Sequence, residues 1–502
     1  PELSDGFGYT YHHSPDLVFW NERFYLAWKS NPKDEDIPPG HIVFSTSRDG
    51  VDWGFPKLLF PTVPARGGRP TEWGARSYFR VANDGRLLAV AGFRDEEVVA
   101  FGVREIPAEG ELGPIYWIFH VPERATREHD PLFPLYTESE DPGFVEACRE
   151  TLRDRLFLEQ AYDYGQLLEL DARMPWHRQL NPEQKFGFGK AFSFCRRPDG
   201  AILAVAKLAW TTLSFDGGET WTRPVQPETL NVSRSKIWAQ RTSDGLYALV
   251  YDPIKPGDSP RWPLVIVTGE DGVLYRDMRT VHEEVPRRRY IGLHKNMGPQ
   301  YVRGIWPPNG PPPGDDLRLV YSVNKEDIWI SRVPVPVQVR AQGNVDDDFE
   351  AAEGEGPARS WNVYSPLWAP VRVVPVPGEK NTALRLQDAD PYDWARVTRV
   401  FEGRTKARIG FRVMADPVEG SHLETEVVGP GGVPALRIVL APDGGVAFHR
   451  KTELVEVGRY RASRWVGVEI EADAATQRFS LSIDGREVLS NERLAHAVSP
   501  LE

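Results

Sequence analysis

The stretch SFDGGETW, Ser214–Trp221, decides the fold of this chain. It reads S-x-D-x-G-x-T-W, the pattern of an Asp-box, in which an aspartate carboxylate accepts hydrogen bonds from backbone N–H groups of its own tight turn. Glycine supplies the positive φ that the turn needs, and the hydroxyls satisfy nearby backbone groups. We expect the tryptophan to fold back between neighbouring sheets. Turns of this kind predict a propeller built from copies of one sheet.

A second repeated pattern accompanies the Asp-box. Asp-Gly dipeptides stand between apolar stretches, which is typical of a hairpin turn between two strands. Together, the hairpins and boxes define a four-stranded antiparallel blade with the Asp-box between its third and fourth strands. The hairpin turns are Asn21-Glu22, Asp84-Gly85, Asp199-Gly200 and Asp244-Gly245, and shortened or worn boxes lie at Ser47–Trp53 and Glu270–Gly272.

The spacing of these turns predicts six blades. The third contains a helical periodicity from Phe144 to about Gln160, which we interpret as a helical insertion over about 140–165 on one face of the propeller. We place the blades near residues 10–62, 70–110, 112–180, 186–232, 233–285 and 297–340.

A proline-rich segment, Val333–Pro336, ends the last blade and begins a stiff linker. Short alternating strands follow, from Val371–Val374 to Phe479–Ile483, separated by Asp-Gly turns. The predicted fold is therefore all-β, with a six-bladed β-propeller over 1–340 and a β-sandwich over 345–502. The segment from Trp465 to Val488 resembles the final strands of jelly-roll, laminin-G-like modules. Such a sandwich either binds glycans or braces the catalytic domain. Bracing is slightly favoured, because the sequence shows no clear sugar platform.

The composition narrows the function classes. A formal net charge of -12 argues against a nucleic-acid binder, since phosphate binding needs a basic face. No apolar run is long enough to cross a membrane. The 16 tryptophans and 17 tyrosines fit the packing of an all-β core, and some of them are candidates for stacking on sugar rings.

Two cysteines, Cys148 and Cys195, are too few for a disulfide scaffold, and the sequence leaves open whether they pair. No Cys/His spacing indicates a zinc site. The sequence requires no metal or organic cofactor, although a structural calcium ion in a blade stays compatible with it. We expect a secreted or periplasmic protein whose signal peptide has been removed. The oligomeric state is left open.

Propeller ligands bind at the central axis, where the innermost strands begin. Polar residues at these strand starts form a set that is rich in cations for an acidic protein. Several Arg, Lys and His side chains aimed at one axis favour an anionic substrate. The catalytic candidates are His12, His13, Arg76 and Tyr301, and the substrate-binding candidates are Glu72, Trp73, Lys190, Trp238, Gln240, Lys295, Asn296, Gln300, Arg303, Asn324, Lys325 and Glu326.

The adjacent histidines His12 and His13 are central to this prediction. Neighbouring residues of a strand point to opposite faces, so one ring should face the axis and the other the packing. Histidine is the natural general base near neutral pH, but a structural role for both rings fits the sequence as well.

The Asp-boxes and the blade pattern resemble the sialidase-like superfamily of Asp-box propellers, over about residues 10–340. This superfamily includes sialidases, other glycosidases, polysaccharide lyases and non-enzymes, so the fold alone does not give the activity. Sialidases carry an Arg-Ile-Pro-type motif at the first inner strand. Here Tyr11–Pro15 occupies that place, which counts against a sialidase.

The His-His-x-Pro start looks more like propellers that remove terminal L-rhamnose from glucuronate-containing polysaccharides, together with related ulvan-degrading propellers. This narrower resemblance implies that His13 or His12 takes part in catalysis, and that arginine and tyrosine side chains hold the uronate. It implies an acidic polysaccharide as the substrate, cleaved at a rhamnose–uronate linkage.

Three functions stay open. A lyase would use Arg76, Arg303 and Asn296 at the uronate carboxylate, with His13 and Tyr301 as proton carriers. An exo-glycosidase, sialidase-like or other, would need a pair of carboxylic acids, or a histidine or tyrosine in place of one, and the available acids are Glu72, Asp252, Glu326 and Asp327. A non-catalytic glycan-binding protein would keep the aromatics and not depend on His13. Lyase chemistry fits slightly better, because cations and histidines outnumber paired acids.

Overall fold

The computed structural model is nearly all-β, and its described residues include two short α-helices. The chain divides into two compact units, residues 1–338 and 339–502. The structure describes residues 8–35, 37–63, 71–95, 97–120, 132–162, 192–222, 224–254, 261–305, 314–337, 344–350, 361–416, 418 and 420–501.

The described part of the first unit contains five antiparallel sheets, in each of which the strands are paired in sequence order. The first sheet has β1 (Tyr11–Trp20), β2 (Arg23–Asn31), β3 (His41–Ser47) and β4 (Lys57–Phe60); the second has β5 (Glu72–Val81), β6 (Leu87–Asp95), β7 (Glu97–Ile106) and β8 (Tyr116–His120). The third has β9 (Ser193–Arg196), β10 (Ile202–Val205) and β11 (Thr211–Ser214); the fourth has β12 (Trp238–Arg241), β13 (Tyr247–Tyr251), β14 (Leu264–Gly269) and β15 (Arg276–His282); the fifth has β16 (Pro299–Gly304), β17 (Leu317–Val323) and β18 (Asp327–Val333).

The turns lie where the sequence predicts them. The Asp-Gly dipeptides join the first and second strands of their sheets, and each glycine has a positive φ, 87° at Gly85 for example. Asp216 accepts hydrogen bonds from the Ser214 hydroxyl at 2.8 Å and the Thr220 amide at 2.9 Å. The shortened box repeats this geometry around Asp49. Trp221 packs edge-on against Phe192, which precedes β9 of the same sheet.

The first strands of the sheets contact one another, β1 with β5 and β16, and β12 with β9 and β16. They are therefore the inner strands of a β-propeller. The predicted number of six blades is not confirmed. In the stretch assigned to a third blade, β8 completes the second sheet and two helices follow, while residues 163–191 lie outside the described part.

The helices are α1 (Pro142–Arg153) and α2 (Arg155–Tyr162). Asp141 begins α1, because its carboxylate accepts hydrogen bonds from the amides of Gly143 and Phe144. The apolar side of the helices packs into the hydrophobic core that the second, fourth and fifth sheets share. The segment with helical periodicity thus forms helices, and the burial of their apolar side stabilises them.

The second unit is a β-sandwich. One sheet has the order β23-β28-β29-β30 and the other the order β24-β25-β26-β27, and side chains of both form one core around Phe448, Ile470 and Leu481. Two small two-stranded sheets precede them. The strands are β19 (Asn362–Tyr364), β20 (Val371–Pro375), β21 (Thr382–Leu386), β22 (Arg396–Thr398), β23 (Lys406–Val413), β24 (Leu423–Gly429), β25 (Val433–Leu440), β26 (Gly445–Arg450), β27 (Glu453–Arg459), β28 (Val466–Asp473), β29 (Arg478–Ile483) and β30 (Arg486–Arg493).

Candidate functional site

One end of the propeller collects buried polar side chains. The inner strands start there, and antiparallel pairing brings the ends of the second strands to the same level, as Tyr11 opposite Asn31 and Pro299 opposite Val323 show. Loops that enter the third strands begin at this end as well. Residues far apart in the sequence therefore meet at one place, which we call the axial site.

His13 lies at the centre of the axial site and is 1% exposed. Its Nδ1 is 2.7 Å from the Ser322 hydroxyl, which donates to the Gln300 carbonyl at 3.4 Å. With Nδ1–H donated to Ser322, Nε2 carries the lone pair, and among the described residues this buried nitrogen has no hydrogen-bond partner. Burial and the nearby cations Lys325 and Arg261 hold the pKa of His13 well below its ordinary value of 6.5. His13 is therefore a neutral proton acceptor at physiological pH.

Tyr301 packs directly against His13, with ring centroids 4.1 Å apart. Three cations surround its ring, and the charged groups of Lys207, Lys236 and Arg261 each lie 5.3 Å from the ring centre. The backbone of Tyr301 has φ of +61°, in the left-handed region that a bulky residue seldom occupies. The strand is thus distorted at the point where the tyrosine meets the histidine and the cations.

His12 faces away from Tyr301. Its Nδ1 accepts a hydrogen bond from the Trp28 indole at 3.0 Å, and its Nε2 is 3.2 Å from the Tyr9 carbonyl. Burial is the main cause that lowers the pKa of His12 to about 3. Both ring nitrogens of His12 are hydrogen-bonded, and the bond to Trp28 links β1 to β2. The two histidines therefore have different environments.

Two buried aspartates near the axial site, Asp252 and Asp16, have raised pKa values. Burial raises the pKa of Asp252 from 3.8 to about 7, against the effects of Ser235 and Arg261. Asp252 is 0% exposed, and neither carboxylate oxygen has a hydrogen-bond partner of good geometry among the described residues. Burial also raises the pKa of Asp16 to about 6, although Arg303 opposes this. Asp252 follows β13 at the axial end and stays largely protonated below about pH 7.

Arg303 belongs to a contact between the fifth and second sheets. Its guanidinium donates to the Tyr78 hydroxyl at 2.6 Å and lies 4.4 Å from the centre of that ring. The carboxylate of Asp16 accepts a hydrogen bond from the Phe79 amide at 2.8 Å. Arg303 is 5% exposed, so its positive charge acts on the axial site from a buried position between the two sheets.

Glu72 forms a closed ion cluster. Its carboxylate accepts hydrogen bonds from Arg94 and from the Asn31 amide, and it lies 3.7 Å from the Lys29 ammonium. These cations lower the pKa of Glu72 against the effect of burial. Glu72 is therefore an ionised partner for cations of the site, which fits charge compensation better than direct sugar binding.

Lys325 and Lys295 are also buried with carboxylate partners. Lys325 donates to Glu35 at 2.8 Å, and Lys295 lies 3.4 Å from Glu326 while donating to the Thr10 carbonyl at 2.6 Å. The Glu326 carboxylate also accepts hydrogen bonds from the backbone amides of Arg289 and Tyr290. The pair of Lys295 and Glu326 thus anchors the loop before β16 to the start of the chain's first strand.

The remaining polar candidates of the fifth sheet hold loops. Asn324 accepts from the Gly298 amide and donates to the Pro286 carbonyl. Gln300 donates to the Asn296 carbonyl at 2.9 Å and accepts from Arg261 at 2.8 Å, which fixes Arg261 beside Tyr301. The side chain of Asn296 is exposed.

The aromatic candidates lie in the core. Trp73 is 0% exposed and donates its indole N–H to the Pro61 carbonyl at 2.8 Å. Trp238 is 3% exposed and donates to Gln240 at 2.9 Å, with Gly304 packed against its ring. Neither ring has a face open to a sugar, because tertiary packing covers both. This corrects the expectation that they bind substrate, and Gln240 serves as the partner of Trp238.

Two further predictions lie beyond what the structure describes. Lys190 is outside the described residues, and Arg76 is on β5 but its side chain is not among those described. Sequence reasoning missed Lys207, Lys236 and Arg261, which follow or precede predicted strands rather than lying in them. Lys236, two residues before β12, could have been found by extending the search to the loop in front of each inner strand.

Within the described ranges, no group of three or more His, Cys, Asp or Glu side chains is placed to hold a metal ion. None of the helices described there is long and apolar enough to cross a membrane. Cys148 and Cys195 are both free and buried, and burial raises the pKa of each thiol to about 12. They are inert core residues, not a disulfide.

Two family models match the chain. One, described as BT_1020-like, N-terminal beta propeller, covers residues 1–170, and one described as Sialidase-like, CBM domain, covers residues 361–500. A solved protein named sialidase is 33% identical with a TM-score of 0.84; the match covers 100% of this chain and 46% of that protein. The chain thus spans less than half the length of this relative. No curated protein matches the chain.

More distant structures share little with the chain. A Trypanosoma rangeli sialidase in complex with 2,3-difluorosialic acid is 10% identical with a TM-score of 0.36, and the match covers 98% of this chain and 87% of that one. A glycosyl hydrolase from Bacteroides ovatus is 10% identical with a TM-score of 0.33, and covers 65% of this chain and 85% of that one.

The fold, the Asp-boxes and these matches support a sialidase-superfamily β-propeller followed by a β-sandwich. The first 170 residues match the propeller model, and residues 361–500 match the sialidase-like CBM model. The narrower resemblance to rhamnose-releasing propellers is not confirmed.

Proposed function

We propose that this chain is a glycosidase that removes a terminal, carboxylate-bearing sugar from an acidic glycan. The observation that carries the proposal is the axial arrangement of His13, Tyr301 and three cations. A buried neutral base with an unpartnered Nε2 lies against a tyrosine, and Lys207, Lys236 and Arg261 surround that tyrosine at 5.3 Å. This combination offers proton transfer and anion recognition at one point.

The cations supply the recognition. A guanidinium and two ammonium groups around one ring favour a ligand with negative charge, and Arg261 is held in place by Gln300. Lys236 is 3% exposed, so little water screens its attraction for an anion. A sugar whose carboxylate lies among these three groups would present its anomeric carbon towards Tyr301 and His13.

The proton donors and acceptors suit hydrolysis through a tyrosine. The Tyr301 oxygen attacks the anomeric carbon while His13 Nε2 takes the phenolic proton, and protonated Asp252 gives its proton to the leaving oxygen. Water then attacks the anomeric carbon and breaks its bond to the Tyr301 oxygen. The Asp252 carboxylate takes one proton from this water, the sugar keeps the remaining hydroxyl group, and protonated His13 returns the phenolic proton to Tyr301. The pKa values of His13 and Asp252 are shifted in opposite directions, as an acid and a base in one site require.

The 33% identical relative supports a hydrolase, since a protein named sialidase acts on a terminal sugar acid. The lyase stays a second candidate. A neutral His13 flanked by cations is also what proton removal next to a uronate carboxylate needs. A rhamnose–uronate linkage as the bond cleaved and a location outside the cytoplasm remain predictions within this proposal.

The test is product analysis on a panel of glycans with terminal uronic, sialic and other sugar acids, including rhamnose-linked uronates. The wild type is compared with His13→Ala and Tyr301→Phe. We expect release of a saturated sugar acid and a loss of rate of about 100- to 10,000-fold in both variants. His422→Ala, an exposed histidine of the second unit, is the matched control and should keep the full rate.

Each other outcome points elsewhere. An unsaturated product, detected by its ultraviolet absorbance, would replace the hydrolase by the lyase. Cleavage that survives His13→Ala would remove the axial site from the chemistry. Binding of a panel glycan without any product would leave a glycan-binding propeller.

A further inference from the structure

Ser322 is a fully buried polar residue on a strand, β17, whose side chains are mostly apolar. Leu319 and Tyr321, on the other face of this strand, pack into the core that the second, fourth and fifth sheets share. Ser322 therefore points the other way, into the axial site. Its hydroxyl oxygen lies 2.7 Å from His13 Nδ1 and 3.4 Å from the Gln300 carbonyl oxygen. A buried hydroxyl costs stability unless it is hydrogen-bonded, so these two partners matter for the fold as well.

The backbone brings both partners to Ser322. Gln300 is the residue opposite Ser322 in the pairing of β16 with β17, and a β-bulge follows Gln300 directly. Tyr301 within that bulge has φ of 61°. The first strand has a bulge directly after His13, where Ser14 has φ of 50°. A bulge re-aims the side chains next to it. The two bulges thus place the His13 ring and the Gln300 carbonyl within reach of the same hydroxyl group.

The single proton of the Ser322 hydroxyl sets the tautomer of His13. If the proton goes to the Gln300 carbonyl, the Ser322 oxygen accepts a hydrogen bond from Nδ1–H, and Nε2 carries a lone pair. If the proton goes to Nδ1, Nε2 carries the hydrogen instead. The second arrangement leaves a buried N–H group that has no acceptor among the described residues. Such a group is rarer in folded proteins than a buried acceptor without a donor.

His12, the neighbouring residue, provides a contrast. Its Nδ1 lies 3.0 Å from the Trp28 indole N–H, which can only donate, and its Nε2 lies 3.2 Å from the Tyr9 carbonyl, which can only accept. His12 therefore carries its hydrogen on Nε2. The hydrogen-bond partners give the two adjacent histidines opposite tautomers, and those of His13 leave Nε2 as the proton acceptor.

We propose that Ser322 is a positioning residue, which accepts the Nδ1 hydrogen of His13 and so keeps Nε2 of that ring as the proton acceptor. Gln300 contributes its backbone carbonyl, which takes the Ser322 proton. The part of this acceptor in catalysis rests on the proposed glycosidase function, in which Nε2 takes the phenolic proton of Tyr301. The hydrogen bonding itself does not depend on that function. Ser322 acts through His13 and is not itself a catalytic residue.

Nitrogen-15 NMR of the full chain, labelled in its histidine rings, tests the proposal without any substrate. Ring nitrogens with a hydrogen and with a lone pair differ widely in chemical shift. We expect the hydrogen on Nδ1 in His13 and on Nε2 in His12, with the signals identified by comparison with His13→Gln and His12→Gln. In Ser322→Ala, His13 should change at least partly to the Nε2–H form, because Nδ1–H has lost its acceptor. Gln300→Leu, which keeps the backbone carbonyl, should leave the tautomer of His13 unaltered.

Kinetics on a glycan that the wild type cleaves provide the second measurement. Ser322→Ala should lower kcat by about 10- to 100-fold with little change in KM, because the acceptor is needed for proton transfer and not for sugar binding. Ser331→Ala is the matched control and should keep the full rate. It removes another serine hydroxyl of the fifth sheet, one that lies 2.7 Å from the Tyr321 hydroxyl. Unaltered signals of the other histidines, His282 among them, show that each variant is folded.

A wild-type His13 with its hydrogen on Nε2 would overturn the proposal, and so would a Ser322→Ala variant that retains the Nδ1–H form. An unchanged kcat in a variant with the altered tautomer would overturn the catalytic importance of Ser322. If no glycan is cleaved but the tautomer depends on Ser322, the proposed activity fails and the positioning of His13 stands. Cleavage that requires His13 in a wild type with the Nε2–H form would refute only the positioning by Ser322.

Discussion

The two units of the chain handle charge in opposite ways. In the propeller, Lys295 and Glu326 are 1% and 0% exposed and pair with each other. In the sandwich, ion pairs such as Arg437 with Glu426 lie on the outside of the sheets, with side chains 35% and 37% exposed. The sandwich core itself is apolar, around Phe448 and Leu481. Both units are all-β, so the fold alone does not explain the difference.

The difference separates stability from function. A buried ion pair seldom stabilises a fold more than apolar residues of the same volume, because both charges lose their hydration. The axial end of the propeller nevertheless concentrates such groups, together with His13 and Asp252, which lack partners at one or more atoms. The sandwich follows the ordinary solution, with apolar side chains inside and charges in water. Buried polarity at this end of the propeller therefore supports the axial site as the candidate functional site.

The largest expected effect on stability is that of Glu326→Ala. It leaves the buried Lys295 ammonium and two backbone amides without their acceptor, so the free energy of unfolding should fall by about 3–5 kcal/mol. Urea denaturation followed by tryptophan fluorescence measures this change. Glu326→Gln, which keeps an acceptor oxygen, should lose less. A loss below about 1 kcal/mol in Glu326→Ala would contradict the view that the propeller depends on this buried pair.

A smaller effect, dependent on pH, is expected for Asp252→Asn. The unfolded chain releases the Asp252 proton above about pH 4, whereas the native chain keeps it up to about pH 7, so this group makes the wild type less stable as pH rises between those values. Asp252→Asn has no titrating group at this position and therefore does not lose stability in this way. Its stability relative to the wild type should therefore rise by roughly 2–4 kcal/mol from pH 4 to pH 7 and then level off.

Thermal unfolding of the wild type and Asp252→Asn over this pH range provides the measurement. His12 and His13 act in the opposite sense, because their lowered pKa values make both proteins lose stability as pH falls below about 6.5. This contribution cancels in the difference between the two proteins. A difference that does not change with pH would show that Asp252 is ionised in the native chain.

The smallest effect is expected in the sandwich. Glu426→Ala removes the partner of Arg437 on the outer face, where water screens the pair, so the free energy of unfolding should change by about 0–1 kcal/mol. The same urea titration measures it beside Glu326→Ala. A loss as large as that of Glu326→Ala would remove the contrast between the two units.

The candidate site was only partly predictable. Placing polar residues at the starts of inner strands brings His13, Tyr301 and Arg303 into one list, and the alternation of side chains predicts that His12 and His13 differ. The same reasoning includes Trp73 and Trp238, which packing buries. It omits Lys207 and Arg261, because nothing in their own sequence surroundings shows which loops converge on the axis.

The sequence by itself determined the local structure. Asp-boxes, Asp-Gly hairpins and the start of α1 depend on hydrogen bonds between residues a few positions apart, so their residue types suffice to predict them. Only the tertiary structure decided the number of sheets in the described propeller, the burial of each aromatic and the meeting of Tyr301 with three distant cations. These depend on register and on contacts between strands far apart in the chain, where a shift of one residue turns every side chain to the other face.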